Sequence, residues 1–301
     1  MRYLFLLLFS VSMCAQRMET LTYFSNDTLS LQLDLFVPDQ PVKQPMPLLL
    51  YVHGGGFSGG DRTSGHTLCR FLASKGYAAA TLSYTLYMKN KKFSCDGVLT
   101  EKIRAFQHAV SDLWQATSFF VKNAKTYSID PNRIFIAGSS AGGETVLHAA
   151  YWDRKRMDLY KSVLPDDFRY AGLVSGAGAI MDLNLIRKDS IIPMLLFHGN
   201  GDRTVPYGTA AHHYCPTDAS GWLMLSGSWP VYEKACKLGS SVALYTYCGG
   251  GHEYSGTLFE QDLHPVWTFM TDVLAGKKFQ SHTIIPTGKK NELSAEYSFC
   301  D

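Results

Sequence analysis

The stretch that most restricts what this chain can become is residues 133–143, Arg133-Ile134-Phe135-Ile136-Ala137-Gly138-Ser139-Ser140-Ala141-Gly142-Gly143. Residues 133–137 read as a short buried strand, apolar with a β-branched bias. Residues 138–142 fit G-x-S-x-G, and residues 144–150 read as a helix. Strand, tight turn and helix in that order form the context of a nucleophile elbow, in which Ser140 sits on a strained turn that lifts its hydroxyl clear of the sheet. Glycines at 138 and 142 remove Cβ atoms that would collide across the turn. The Ala141 N–H, at the helix start, points to where a developing oxyanion would be held.

Length and composition allow this run to lie in one large core. With 301 residues and 46% apolar content, the chain can bury a single α/β domain. A net charge of +2, with lysine and arginine scattered, offers no nucleic-acid stripe. Residues 1–15 differ from the rest: Arg2, an apolar run over 3–11, then Ser12-Met13-Cys14-Ala15. This reads as an export signal cleaved after Ala15, too short to span a membrane. Lipid attachment at Cys14 is the less favoured alternative, because Met13 is bulky for such a site. The expected location is therefore periplasmic or secreted, with residues 16–301 as the mature domain.

Removing the signal leaves Cys69, Cys95, Cys215, Cys236, Cys248 and Cys300. An even count in an exported chain permits up to three disulfides in fifteen pairings, and buried free thiols stay open as the alternative. Cys215 and Cys248 fall in loops that the site reading brings together, so that pairing is favoured. No C-x-x-C occurs, and no cofactor or metal site is expected.

Around the elbow, residues 20–24 and 29–37 read as an antiparallel strand pair from the alternation of Leu31, Leu33 and Leu35 with Gln32 and Asp34. Residues 48–52 are a continuous apolar run typical of a central strand. They lead into His53-Gly54-Gly55-Gly56-Phe57, a loop whose backbone can approach a ligand and whose Gly55 and Gly56 N–H groups can join Ala141 in holding an oxyanion. His53 is expected to shape that loop. Helices are predicted over 67–75, 99–127, 231–238 and 259–274, and strands over 77–84, 170–179, 192–197 and 241–248. Residues 128–132 read as a turn, 85–98 as an irregular loop near the pocket entrance, and the tail from Phe279 as polar. Asp112, on the long helix, is expected to be a surface or structural carboxylate. Asp202 follows one strand and His252 another. His212 and His213, in an insertion over 207–229, are read as pocket-wall or surface residues. Strands alternating with helices imply a mostly parallel sheet with helices on both faces, and sites at the carboxyl ends of its strands.

The order Ser140, Asp202, His252 with a His-Gly-Gly-Gly loop resembles the α/β-hydrolase esterases, in particular the carboxylesterase and acetyl- or feruloyl-esterase-like group. The resemblance covers about residues 48–274. It rests on His53-Gly54-Gly55-Gly56-Phe57, Ser128-Ile129-Asp130-Pro131-Asn132-Arg133-Ile134, Gly138-Ser139-Ser140-Ala141-Gly142-Gly143, His198-Gly199 with Asp202 and Val205-Pro206, and Gly251-His252. It implies an α/β-hydrolase fold with Ser140 as nucleophile, His252 as base, Asp202 as its orienting acid and Gly55, Gly56 and Ala141 as oxyanion donors. The substrate it implies is a small ester or acylated oligosaccharide. Two departures stand out: Tyr84-Thr85-Leu86 lies where many relatives carry Tyr-Arg-Leu, and the strand pair over 20–37 replaces a helical cap. A prolyl-oligopeptidase-like peptidase and a non-catalytic binder on the same scaffold are the competing readings.

Overall fold

A computed structural model describes residues 17–39, 44–291, 293 and 297–300. The expected export signal and Cys14 lie outside the described residues. Eleven strands and seven α-helices alternate along the described chain. The first hairpin is β1 (Arg17–Ser25) and β2 (Ser30–Val37), followed by β3 (Met46–Val52), α1 (His66–Ser74) and β4 (Ala78–Leu82). Next come α2 (Leu99–Lys122), β5 (Ile129–Ser139), α3 (Ala141–Tyr151) and the single turn α4 (Arg154–Met157). β6 (Gly172–Gly176) and β7 (Met194–Gly199) precede a small pair, β8 (Thr209–Ala211) and β9 (Met224–Ser226). The chain ends with α5 (Ser228–Lys237), β10 (Val242–Cys248), α6 (Thr257–Glu260), α7 (His264–Leu274) and β11 (Gln280–Pro286).

Nine strands form one sheet in the order β1-β2-β4-β3-β5-β6-β7-β10-β11. β1 and β2 are antiparallel, β2 is antiparallel to β4, and every later pairing is parallel. The period-2 alternation of strands divides the apolar residues between two cores. Leu48, Leu50 and Val52 of β3, with Ile134 and Ile136 of β5, face the core that holds α2, α3 and α5. Leu49 and Tyr51, with Phe135 and Ala137, face the core under α1, α6 and α7. A sheet buried on both faces is the reason these strands read as unbroken apolar runs. The chain leaves β3 to one side for β4 and returns on its other side as β5, so the crevice above β3 and β5 is the topological switch point where open parallel sheets hold ligands.

Several expectations are corrected. The turn over 128–132 persists as an irregularity inside β5: Met46 pairs with Ile129 and Leu48 with Ile134, while Asp130 accepts the Asn132 N–H at 2.9 Å. The long helix ends at Lys122 rather than 127, where the Asn123 amide bonds back to the Phe119 carbonyl at 2.8 Å. The strand expected over 170–179 is confined to Gly172–Gly176, because Ala177 turns to φ 46° and closes it. The last predicted helix divides into α6 and α7, with Pro265 in the first turn of the second. The polar tail contributes β11, parallel to β10. Its side chains are mostly exposed on both faces, so it carries no apolar period to read and is held by backbone hydrogen bonds.

The disulfides also differ. Cys95 pairs with Cys215 and Cys248 with Cys300, replacing the favoured Cys215–Cys248 pairing. Cys69 and Cys236 are free thiols. The first bridge joins the 85–98 loop to the 207–229 insertion, which sequence spacing alone does not bring together.

Asp112 is not at the surface. It is fully buried beneath the segment after β4, where its Oδ2 accepts the Thr85 N–H at 2.6 Å and its Oδ1 has no partner. Burial, only partly offset by the Thr85 bonds, pushes its pKa up to about 7. In the unfolded chain the same group ionises near pH 4. Between about pH 4 and 7 the unfolded state has therefore lost a proton that the folded state keeps, so stability falls as pH rises and then levels off. The accumulated cost is on the order of 4 kcal/mol. Asp112→Asn keeps an acceptor for Thr85 and removes the titration. It is expected to melt higher than the parent at pH 8, with the advantage shrinking at pH 5; thermal unfolding at both values checks this, and equal gaps would contradict it.

Candidate active site

β5 and α3 meet at Ser140, whose backbone adopts φ 55° and ψ −120°, a conformation that non-glycine residues rarely hold and that needs over-determination by its surroundings. The surroundings supply it. The Ser140 N–H donates to the Gly176 carbonyl at 2.7 Å, fastening the turn to the end of β6. A Cβ on Gly138 would sit 2.3 Å from the Gly142 carbonyl carbon, and one on Gly142 would sit 2.0 Å from the Val52 oxygen. Both contacts are with backbone, so no rotamer change could relieve them. The two glycines let the turn close on itself and let α3 start against the end of β3.

The loop after β3 lies directly on this turn. A Cβ on Gly54 would touch the Ser139 oxygen at 3.1 Å and the Ser140 Cβ at 3.3 Å. Gly55 and Gly56 take positive φ values of 113° and 59°, and the loop is closed by Ser58 and Gly59 N–H bonds to the Gly55 carbonyl, each 3.1 Å. His53 is buried and uses Nδ1 to donate to the Gly54 carbonyl at 2.6 Å, while Tyr84 donates its hydroxyl to the His53 carbonyl at 3.1 Å. These contacts give His53 the loop-shaping position expected of it. Ala141 is the first residue of α3, so its N–H has no carbonyl four residues back within the helix.

Asp202 and His252 come to Ser140 from the ends of β7 and β10. The Ser140 hydroxyl lies 2.8 Å from His252 Nε2, and His252 Nδ1 lies 2.6 Å from Asp202 Oδ2. A carboxylate can only accept, so Nδ1 carries the proton and Nε2 turns a lone pair toward the serine. Asp202 is fully buried, while the His252 side chain keeps 29% of its surface exposed. The other oxygen, Asp202 Oδ1, accepts the N–H groups of Thr204 at 2.7 Å and Val205 at 3.0 Å.

A second imidazole, to which the sequence assigned no role, completes this arrangement. His198 Nε2 lies 3.2 Å from Asp202 Oδ2 and 3.1 Å from the Val205 carbonyl, both acceptors, so Nε2 is its protonated nitrogen. Its Nδ1 then accepts from the Ser228 hydroxyl at 3.0 Å. Burial alone would raise the Asp202 pKa. Hydrogen bonds from His198 and His252 outweigh it and hold the carboxyl ionised well below the usual carboxylate range. The spacing of His198 and Asp202 on one strand-turn is the signal that could have revealed this pairing.

A cavity of about 400 Å³ opens over Ser140. The glycines at 54–56, Ala141 and His252 line it, as do Phe93 from the 85–98 loop and His212 and His213 from the insertion. Thus Ser140, Asp202, His252, Gly55, Gly56 and Ala141 converge at one site. The insertion and the 85–98 loop form its wall as a joined unit. Besides the Cys95–Cys215 bridge, the Gly221 N–H bonds to the Cys95 carbonyl at 3.0 Å and the Ser220 hydroxyl to the Gly97 carbonyl at 2.8 Å.

This architecture is also that of a solved protein. Over 86% of its length the chain matches Thermogutta terrifontis esterase 2 phosphorylated by paraoxon, at TM-score 0.63 and 17% identity, covering 94% of that chain. The propionate-bound form of the same esterase matches at TM-score 0.62 and 18% identity, with the same coverage of both chains. At such identity the likeness is one of fold. The BD-FAE family model matches residues 33–180, which include the glycine loop and the elbow. The chain has the α/β-hydrolase fold. Among curated proteins, the chain is 32% identical over 111 residues to the probable isoprenylcysteine alpha-carbonyl methylesterase ICME of Oryza sativa subsp. japonica, covering 37% of this chain and 23% of the relative. It is 29% identical over 123 residues to the fumonisin B1 esterase of Sphingopyxis macrogoltabida, covering 38% and 22%. The chain spans well under half the length of the curated relatives it matches.

Proposed function

We propose that this protein is an exported serine carboxylesterase that cleaves small esters through an acyl-enzyme on Ser140, with acetylated or feruloylated glycans as its substrate class. The observation that carries this reading is the unbroken line from the Ser140 hydroxyl through His252 to Asp202, beside the glycine loop. A serine hydroxyl is a poor nucleophile until a base takes its proton. In the proposed reaction His252 Nε2 removes that proton as Ser140 Oγ attacks the ester carbonyl. Asp202 fixes the tautomer and stabilises the imidazolium. The oxyanion that forms is held by the N–H groups of Gly55, Gly56 and Ala141, each contributing roughly 10²–10³ in rate. His252 returns the proton to the leaving alcohol, and a water activated in the same way releases the acid.

The cavity volume falls within the range of small-molecule sites. Relatives named as a probable methylesterase, an esterase and an arylacetamide deacetylase-like protein support acyl cleavage. Two disulfides support an oxidising compartment, and no helix among the described residues is long and apolar enough to cross a membrane. Purified protein is expected to hydrolyse p-nitrophenyl acetate and to leave aminoacyl-naphthylamides intact. Turnover of the amide alone would move the assignment to a peptidase, and turnover of neither would leave a binding protein.

A further inference from the structure

The cavity wall contains polar groups that the proposed reaction does not use. Glu144 stands one turn along α3 from Ser140, is 1% exposed, and lines the cavity with its Oε1 unpartnered. His212, also 1% exposed, brings its Nε2 to 3.6 Å from that oxygen, beyond hydrogen-bond reach, and its Nδ1 has no partner. His213, packed against it with ring centroids 4.3 Å apart, has an unpartnered, buried Nε2. Lys102, the cation nearest in kind, is already engaged by the Gly221 carbonyl at 2.6 Å.

Buried polar atoms without partners are costly, and a site that leaves several around one cavity is shaped for something that satisfies them. The backbone is held to present them. His213 and Tyr214 both take positive φ, 57° and 52°. Bonds from the His212 N–H to the Leu223 carbonyl at 2.8 Å and the His213 N–H to the Thr204 carbonyl at 2.9 Å fix the turn, and Cys215 clamps it to the 85–98 loop.

We infer that Glu144, His212 and His213 form a specificity subsite for an uncharged, hydroxyl-bearing portion of the ester; the inference rests on the esterase reading of Ser140 for its reaction but not for its binding. A hydroxyl both donates and accepts, which is what a carboxylic acid and two neutral imidazoles ask of a ligand. Burial raises the Glu144 pKa well above the usual range, against the pull of the Lys102 charge, and lowers those of His212 and His213, so it favours the neutral form of each. A purely apolar group in this position would leave the three atoms unpaired, and a carboxylate would find no free cation among these three.

The hydroxyl could belong to the acyl side or to the alcohol side, and the substrates separate them. Relative kcat/KM is measured for p-nitrophenyl acetate, p-nitrophenyl glycolate and a mono-O-acetylated methyl xyloside, in the parent, Glu144→Leu, Glu144→Gln and His212→Leu. Binding of the acetylated xyloside, and of methyl glycolate, to Ser140→Ala and to Ser140→Ala with Glu144→Leu is measured by calorimetry. Expected is a further 10- to 100-fold loss in both leucine variants on one hydroxylated ester compared with p-nitrophenyl acetate. That loss should appear mainly in KM, with partial recovery in Glu144→Gln and a matching loss of affinity in the double variant. The ester that suffers identifies the side that carries the hydroxyl. Equal losses on all three esters, or unchanged affinity in the double variant, would overturn the subsite while leaving the catalytic reading intact. Binding that depends on Glu144 in a protein that hydrolyses none of the esters would do the reverse.

Discussion

Ser140→Ala is expected to lower kcat on p-nitrophenyl acetate by about 10⁴–10⁶ with little change in melting temperature. The substitution removes one oxygen and nothing that holds the elbow. The turn is fixed by the Ser140 N–H bond to the Gly176 carbonyl and by the close approach of Gly138 and Gly142, all of which survive. What disappears is the hydroxyl oxygen, 2.8 Å from His252 Nε2, that would attack the ester and carry the acyl group. Steady-state kinetics and the loss of a covalent adduct with a phosphonate ester, read by mass spectrometry, check the expectation. A variant that kept a tenth of the parent activity would remove Ser140 from the nucleophile's place.

Asp202→Asn is expected to lower kcat by about 10⁴ through the tautomer of His252 rather than through the fold. The Oδ1 side accepts two backbone N–H groups, from Thr204 and Val205, so the amide oxygen of Asn is held there. Its NH₂ group then faces the two imidazoles that now donate to Oδ2. His252 can relieve the conflict only by moving its proton to Nε2, and a protonated Nε2 cannot accept the proton of Ser140. Because His198 meets the same NH₂, some loss of stability should accompany the kinetic loss. Folding is read by circular dichroism and turnover with the same ester; a fall of less than tenfold in a folded variant would show that His252 does not depend on this carboxylate.

The parts of the architecture that were legible in the sequence are those where local chemistry has one solution. G-x-S-x-G between a strand and a helix could close only as an elbow, and Leu31, Leu33 and Leu35 do share one buried face of β2, although Asp34 and Phe36 on its other face are buried as well. Asp202 and His252 were legible because each follows a strand that ends at the same edge of the sheet. The rest depended on partners distant in sequence. Gln280–Pro286 shows no period because β10 alone makes it a strand. Glu144 looks like an ordinary helix glutamate until the insertion covers it, and Asp112 like a surface residue until the segment after β4 does. Cysteine spacing carries no pairing information, so Cys95 and Cys215, 120 residues apart, could not be matched from the chain.

That covalent clasp has an implication for anyone who would redesign the protein. The two loops that border the cavity behave as halves of one joint, sutured by a bridge and by the bonds of Ser220 and Gly221 to the Gly97 and Cys95 carbonyls. Grafting one of them from a protein of the same fold would import a surface without its mate. New selectivity is more readily obtained by transplanting both together, while the sheet beneath, which anchors neither end of the clasp, can be left as it is.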